Sequence, residues 1–374
     1  MTRHVLIAGG GIAGCAAAVA LQHAGITSTI VEQRPLKTKD SGAFLRLNPN
    51  GLDALSAVDA LAPVMQASFP LHSKQRWAPD GQELAVVSLS DPDHHRGLDA
   101  RFILWACLRQ ALLTLAIDRG ARYIAGIRVT GADSDSCGIR AKLSDGRHLD
   151  GTVLVGADGT NSAVRTIIDP SAPRPQFCNS RTIYGNTPHP AQLLPPATET
   201  LRSYQGPSGF LAYTTTTCGT TYWFTNLKKS QPLPSTEPGT EHWQRQLLPL
   251  LKHDKNPTVP LVERASTIFA ADDSALPWLP RWHADHAVVI GDAAHVAPPA
   301  SEQGASLAIE DAVVLAQCLR DQPVTSALQQ FVLRRRERSE TIIAAATGQP
   351  PPSWDPTAIY KHHIRWGQNV AHDN

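Results

Sequence analysis

The glycine cluster Gly9-Gly10-Gly11-Ile12-Ala13-Gly14 follows the apolar run His4-Val5-Leu6-Ile7-Ala8, and Glu32 stands eighteen positions beyond its last glycine. The spacing fits G-x-G-x-x-G. Gly9 permits a tight turn, Gly11 lets the backbone approach a pyrophosphate, and Gly14 allows a helix to pack closely on a strand. The N–H groups of that helix's first turn face the phosphates. A carboxylate at position 32, ending the next strand, can accept from both ribose hydroxyls. This is chemistry for holding the ADP half of a dinucleotide, and it leaves NAD and FAD equally open.

Two later stretches also carry isolated carboxylates. One is Leu154-Val155-Gly156-Ala157-Asp158-Gly159, running on to Arg165; the other is Ile290-Gly291-Asp292-Ala293-Ala294-His295, followed by Pro298, Pro299 and a helix opening near Gly304. Each acid comes directly after a short apolar run, so each is placed at the end of a buried strand.

The elements that must position these groups can be read from periodicity. Residues 4–8 form a short buried strand, 12–24 an alanine-rich helix ending before Gly25, and 29–31 a second strand, a β-α-β unit that builds a parallel sheet. Residues 103–116 read as helix, 139–149 as a hairpin around Ser144-Asp145-Gly146, and 152–155 as a buried strand. From 166 to 285 prolines are frequent, and 201–227 is rich in Thr, Tyr, Trp and Phe, which favours an antiparallel sheet. The buried-strand pattern returns at 287–290, followed by a helix over 305–319. The expected organisation is therefore a discontinuous nucleotide-binding domain (1–165 and 286–340), an inserted substrate-binding β-sheet (166–285) and a C-terminal helical tail (341–374).

Composition narrows the partners. The 374 residues carry a formal net charge of +1 with 18% charged side chains, which provides no large field of one sign for nucleic acid or an anionic membrane. The cysteines are scattered without C-x-x-C or zinc-like spacing, and no apolar run is long enough to span a bilayer. The expectation is a cytoplasmic monomer or homodimer acting on a small molecule, with no bound metal, no nucleic-acid partner and no membrane insertion.

Taken together, the glycine cluster, the Asp158-Gly159 segment and the Gly291-Asp292 segment resemble the flavoprotein aromatic hydroxylases, single-component FAD monooxygenases that include the 4-hydroxybenzoate and salicylate hydroxylases. The resemblance runs from residue 1 to about 320 in motif order. It implies an α/β fold, with a Rossmann-like FAD-binding domain of the GR2 type and an antiparallel sheet roofing the flavin. It implies that Asp292 accepts a hydrogen bond from a ribityl hydroxyl of FAD, and that the helix after Gly304 points its positive end at the pyrimidine edge of the flavin. It associates Asp158 with both FAD and a passing NADH or NADPH, with Arg165 closing that motif. The expected cofactor contacts are Gly9, Gly11, Ile12, Ala13, Gly14, Glu32, Gln33, Arg34, Arg46, Arg101 (placed on a helix), Val129, Asp158, Gly291, Asp292, Pro299, Gly304, Ala305 and Ser306. His295 reads as structural. Ser301 stands where relatives usually carry glycine, so a strained loop is expected there.

The implied reaction is reduction of FAD by NAD(P)H, addition of O2 at flavin C4a, and hydroxylation or epoxidation of a small aromatic or polyketide-like substrate by the resulting hydroperoxide. Tyr184, Tyr213, Trp223 and Phe224 are candidates for the pocket wall. A related FAD reductase or dehydrogenase, or a non-catalytic FAD-dependent binding protein, stays open as an alternative.

Several absences exclude other classes. There is one G-x-G-x-x-G, hence no second dinucleotide domain; Gly206-Pro207-Ser208-Gly209-Phe210 fails G-x-S-x-G; H-E-x-x-H is missing. Flavin halogenases carry W-x-W-x-I-P, which Trp278-Leu279-Pro280-Arg281-Trp282 does not match. The pairs His94-His95 and His362-His363 read as surface residues, and Arg334-Arg335-Arg336-Glu337-Arg338 as a solvated helix face.

Overall fold

The computed structural model describes residues 3–35, 43–90, 96–188, 194–195, 197–234, 238–276, 278–352 and 354–370; the His94-His95 pair lies outside them. Its centre is a five-stranded parallel sheet in the order β18-β12-β1-β2-β8, made of β1 (His4–Ala8), β2 (Thr27–Glu32), β8 (Arg122–Ala125), β12 (Val153–Gly156) and β18 (Ala287–Val289). Strands β12 and β18 are buried at every position. Helices cover both faces of such a sheet, so its strands read as continuous apolar runs rather than alternating ones. The return of strand character near residue 287 is thus β18 pairing with β12, in the register Val155↔Val288.

Helix α1 (Ile12–His23) follows β1 and packs against both α4 (Trp105–Asp118) and α8 (Gly304–Asp321). Its alanines make that close approach possible: Ala16, Ala17, Ala18 and Ala20 are buried. The last long helix, α9 (Val324–Ala346), lies along α8.

A seven-stranded sheet, ordered β17-β13-β16-β15-β14-β5-β6, forms the second layer. Its strands are β5 (Ser73–Trp77), β6 (Glu83–Ser88), β13 (Gln176–Pro188), β14 (Thr200–Gly206), β15 (Gly209–Thr215), β16 (Thr220–Lys228) and β17 (Thr267–Ala275). The strands from 201–227 pair antiparallel as expected. Two strands, β5 and β6, come from residues 73–88, inside the stretch assigned from sequence to the nucleotide-binding part. Here β5 joins β14 in parallel.

The two faces of this sheet have different partners. One packs Tyr213, Trp223, Leu211 and Ile183 against Trp243, Leu247 and Leu251 of α6 (Thr240–His253) and Leu261 and Val262 of α7 (Val259–Glu263). The other brings Leu201, Ala212, Tyr184, Phe210, Tyr222 and Phe224 against Phe44 and Phe102. Those two phenylalanines belong to a three-stranded sheet of β3 (Phe44–Leu47), β7 (Arg101–Leu104) and β4 (Phe69–Pro70).

Two expectations fail here. Residues 101–104 are strand rather than helix, and α4 starts at Trp105. A short apolar run before a helix has no period that separates the two. The arginine run also does not form a solvated face: Arg335 is fully buried on α9 and Arg338 largely so. Among the described residues no helix is long and apolar enough to cross a membrane, and no group of three or more metal-type side chains occurs.

Candidate functional site

The first turn of α1 has no side-chain cap, and its N-cap is Gly11. A Cβ built on Gly11 would meet only the Trp105 ring, at 3.9 Å, so the backbone there is open to approach. Gly9 and Gly14 are packed instead. A Cβ on Gly9, which holds φ at +101°, would lie 2.3 Å from the Ala157 carbonyl oxygen, and one on Gly14 would lie 1.9 Å from the Gly9 carbonyl oxygen. Gly9 therefore serves the contact with the Asp158 segment as well as the turn.

Glu32 ends β2 and is buried beside this loop. Its Oε2 accepts from the Gly10 amide at 2.6 Å and its Oε1 from the Arg34 amide at 2.8 Å. The loop from β8 into β9 (Val129–Ser134) runs over it, with the Ile127 and Gly126 amides donating to the Glu32 and Arg34 carbonyls. Val129 itself is buried in the core. Ile12 is buried and Ala13 half-buried, while Gln33 and Arg34 are exposed, Arg34 with its guanidinium 5.9 Å from the Trp105 ring centre.

The Gly291-Asp292 turn lies between the amino-terminal turns of two helices. Gly291 adopts φ +56°, and a Cβ there would stand 3.1 Å from both Ala13 of α1 and Ala308 of α8. Asp311 of α8 holds the turn from behind: it accepts from the Gly291 amide at 2.9 Å, bonds His295 Nε2 at 2.6 Å and accepts from Arg335 Nε at 2.7 Å. All of these groups are buried, which supports the structural reading of His295. Burial alone would raise the Asp311 carboxyl, but His295 and Arg335 hold it below the ordinary carboxylate range. Asp292 is exposed along the crevice yet closely surrounded by protein. Desolvation pushes its carboxyl up, against the pull of His295 and a hydrogen bond from Thr160.

Burial pushes the Asp158 carboxyl up as well, but its hydrogen bonds are local. Its carboxylate accepts from Ser162 Oγ at 2.5 Å and from the Ala163 and Val164 amides, capping α5 (Ala163–Ile168). Arg165 joins the two acidic segments by donating to the Thr160 and Ala293 carbonyls at 2.7 and 3.1 Å. The three motifs thus meet through Gly9 with Ala157, Ala13 with Gly291, and Arg165 with Ala293.

At the amino end of α8, Gln303 supplies no side-chain cap and Gly304 has open space where a Cβ would go. Pro299 and Ser301 form a 3-10 turn, and the left-handed position falls on Glu302, φ +51°, not on Ser301. Ser301 instead accepts from the Gln303 amide. Ala305 is half-buried, whereas Ser306 is fully buried, with its Oγ accepting from the Asn48 amide and packing on Gly51 of α2 (Pro49–Ser56). Arg46 of β3 donates to Glu302 at 2.6 Å and keeps a buried Nε without a partner, as Asn48 does its Oδ1.

Of the other expected residues, Arg101 points elsewhere: on β7 it donates to Ser68 Oγ and to the Ser68 and Met65 carbonyls. The arginine at the glycine loop is Arg109 of α4, which donates to the Gly10 carbonyl at 2.7 Å and to Tyr123 Oη at 2.8 Å. Its position within α4 is one a helical wheel could have offered. The four pocket candidates divide by face, because Trp223 and Phe224 are consecutive on β16 and point oppositely. Tyr184 and Phe224 line the face toward β3. Tyr213 and Trp223 are core residues under α6 and bond Pro195 and Thr187. Sequence reading also missed Glu310 and Asp311, although an acid within the small and apolar stripe of Ala308, Ala312 and Leu315 signals a buried partner.

Open backbone at Gly11, two uncapped helix starts, an outward carboxylate between them and orphaned polar atoms at Arg46 and Asn48 suit a long ligand with an anionic middle and a polyol linker. That donor set fits FAD and defines a flavin-dependent enzyme. The family described as FAD binding domain matches residues 2–346, and the chain belongs to it. It is 30% identical to 2-heptyl-3-hydroxy-4(1H)-quinolone synthase of Pseudomonas aeruginosa, over 94% of this chain and 91% of that protein. It is 29% identical to aurachin C monooxygenase/isomerase of Stigmatella aurantiaca, over 91% and 87%. Among solved structures, the fold matches CtdE in complex with FAD (TM-score 0.82, 20% identity, 98% and 96% covered). It also matches Klebsiella pneumoniae HpxO complexed with FAD and uric acid (TM-score 0.81, 22% identity, 93% and 87% covered). The protein is an FAD-dependent oxidoreductase of the monooxygenase kind.

Proposed function

We infer that this enzyme inserts one oxygen atom from O2 into an electron-rich aromatic ring held against the Phe44, Tyr184, Tyr222 and Phe224 face, with NADH or NADPH as reductant. The observation that carries this reading is the convergence of the three motifs, together with the bonds that tie β3, the strand of Phe44, to the start of α8 through Arg46 and Asn48. Bound FAD supplies the redox chemistry, accepting a hydride and activating O2.

The chain's part is to bind, orient and exclude water. The α1 amides and the approach over Gly11 receive the pyrophosphate, Glu32 the adenosine ribose, and Asp292 a ribityl hydroxyl. Asp311 and Arg165 fix the Asp292 turn, so the carboxylate is oriented before the cofactor arrives. The amino end of α8 offers about half a positive charge, which favours negative charge on a ring edge placed there. Around the substrate, aromatic side chains exclude the water that would divert reduced oxygen to peroxide. The names of the relatives, a quinolone synthase and an aurachin monooxygenase, support a fused or substituted aromatic ring. The Tyr184 hydroxyl is pushed up to about 12 by burial, so it acts as a neutral hydrogen-bonding group rather than a base.

The test is NAD(P)H oxidation triggered by candidate aromatics, with product analysed after reaction under 18O2. One labelled oxygen per product is expected. Unlabelled product formed at enzymic rates would place the chain among the related FAD reductases and dehydrogenases instead.

A further inference from the structure

Glu302 is an acidic side chain in a backbone conformation that favours glycine, and a left-handed non-glycine residue costs roughly 1 kcal/mol or more. Its carboxylate is committed on both oxygens. Lys74 Nζ reaches Oε1 and Oε2 at 2.6 and 2.5 Å, and Arg46 Nη1 reaches Oε2 at 2.6 Å. The Arg46 side chain is only 7% exposed, and Lys74 and Glu302 are 27% and 30% exposed. Burial pulls the Lys74 ammonium down and Glu302 holds it up, while the two cations together keep the Glu302 carboxyl below the ordinary range.

Strand register places this cluster on the aromatic face. Lys74 pairs with Leu201, and Leu201 shares its side of β14 with Ser203, which pairs with Ala212. Ala212 pairs with Phe224, and Phe224 with Tyr184. Neighbours across a sheet share a face, so Lys74 points to the same side as the aromatic cluster. Arg46 stands two residues from Phe44 on β3, again on one face. Two cations therefore border the surface that receives the substrate, and a resident carboxylate already occupies them.

We propose that Glu302 is the site's own counter-ion, a specificity-determining residue that occupies Lys74 and Arg46, lowers their combined charge from two to one, and biases the aromatic face from anionic toward uncharged rings. This rests on the flavoenzyme reading above. Lys74 and Arg46 would otherwise offer a two-point grip for a carboxylate. With Glu302 in place, an anionic ring meets a carboxylate and loses its hydration against apolar walls.

The experiment compares benzamide and benzoate, rings of one shape and different charge, titrated into the FAD-loaded parent, E302Q and E302G and followed by the flavin absorption. E302G suits the left-handed backbone, so the carboxylate is removed in two backbone contexts. The parent is expected to prefer benzamide, and both variants to shift the affinity ratio toward benzoate by about tenfold. A parent that prefers benzoate, or a ratio unchanged in both variants while FAD is held as in the parent, overturns the proposal and leaves the flavoenzyme reading standing. A parent that takes up no FAD overturns both.

Discussion

Asp292 is delivered outward where the Gly291 turn meets α1 and α8, and the role proposed for it is that of a charged acceptor aimed at a polyol. A charged hydrogen bond contributes about 1.5–3 kcal/mol, so Asp292→Ala should weaken FAD binding by roughly ten- to a hundredfold. Titration of the apoprotein by flavin fluorescence measures this, and an unchanged affinity would remove Asp292 from the contact set. Behind it, Arg335 is enclosed with Glu310 and Asp311 at 2.6 and 2.7 Å. Removing it takes a shared cation from two buried acids, leaving Glu310 to Arg338 and Asp311 to His295, and Arg335→Ala should cost about 3–5 kcal/mol in denaturant unfolding. A loss under about 1 kcal/mol would mean that the cluster is solvated. The Asp292 segment was legible from its residues as the end of a buried strand, and as a cofactor contact only through the family resemblance. Arg335 was not legible, since a charged run reads as exposed until the α8 acids it meets are known.

At the scale of elements, β1 and α1 were legible almost residue for residue and β2 in its central residues 29–31 of Thr27–Glu32: glycines bound the helix, and strands buried on both faces have apolar runs. The large sheet was legible as a sheet but not by face. Aromatic residues occupy both sides of β16, so alternation separates Trp223 from Phe224 without saying which side faces the flavin domain. Only the docking of α6 and β3 decides that. The division predicts opposite phenotypes for neighbouring substitutions. Trp223→Ala should lower stability by about 3–5 kcal/mol and leave the ratio of product formed to NAD(P)H consumed near that of the parent. Phe224→Ala should lower that ratio and release peroxide. Measuring melting alongside peroxide yield checks both, and uncoupling in Trp223→Ala alone would reverse the assignment of faces.

Across the whole molecule, the C-terminal segment is bound back onto the body. His363 Nδ1 lies 2.8 Å from Asp53 and His362 is 3.9 Å from Glu310. Neither pairing could be read from sequence, because the partners lie on other elements, 310 positions away for His363 and 52 for His362. His363 does lie at the surface; His362 is half-buried. Burial foremost, with Arg338 and Arg335 nearby, lowers His362 from 6.5 to about 4 against the pull of Glu310. Between these values the unfolded chain takes up a proton that the native ring refuses, so stability falls as pH drops through that window. His362→Gln should flatten the fall by about 1 kcal/mol near pH 5, half the ideal value because the ring reaches solvent. Glu310 and Asp311, held below the ordinary range, lose their contribution only below about pH 4. Chemical denaturation across pH measures the difference, and parallel curves for parent and variant would refute it. The account as a whole depends on three distant segments gripping one cofactor along its length, and a crystal structure of the FAD complex tests that most directly. The predicted result is one FAD per chain, its pyrophosphate over Gly11, a ribityl hydroxyl within hydrogen-bonding distance of Asp292 and its ring system between Gly304 and the Phe44 face. A flavin bound elsewhere, or Asp292 turned away from the polyol, would contradict it.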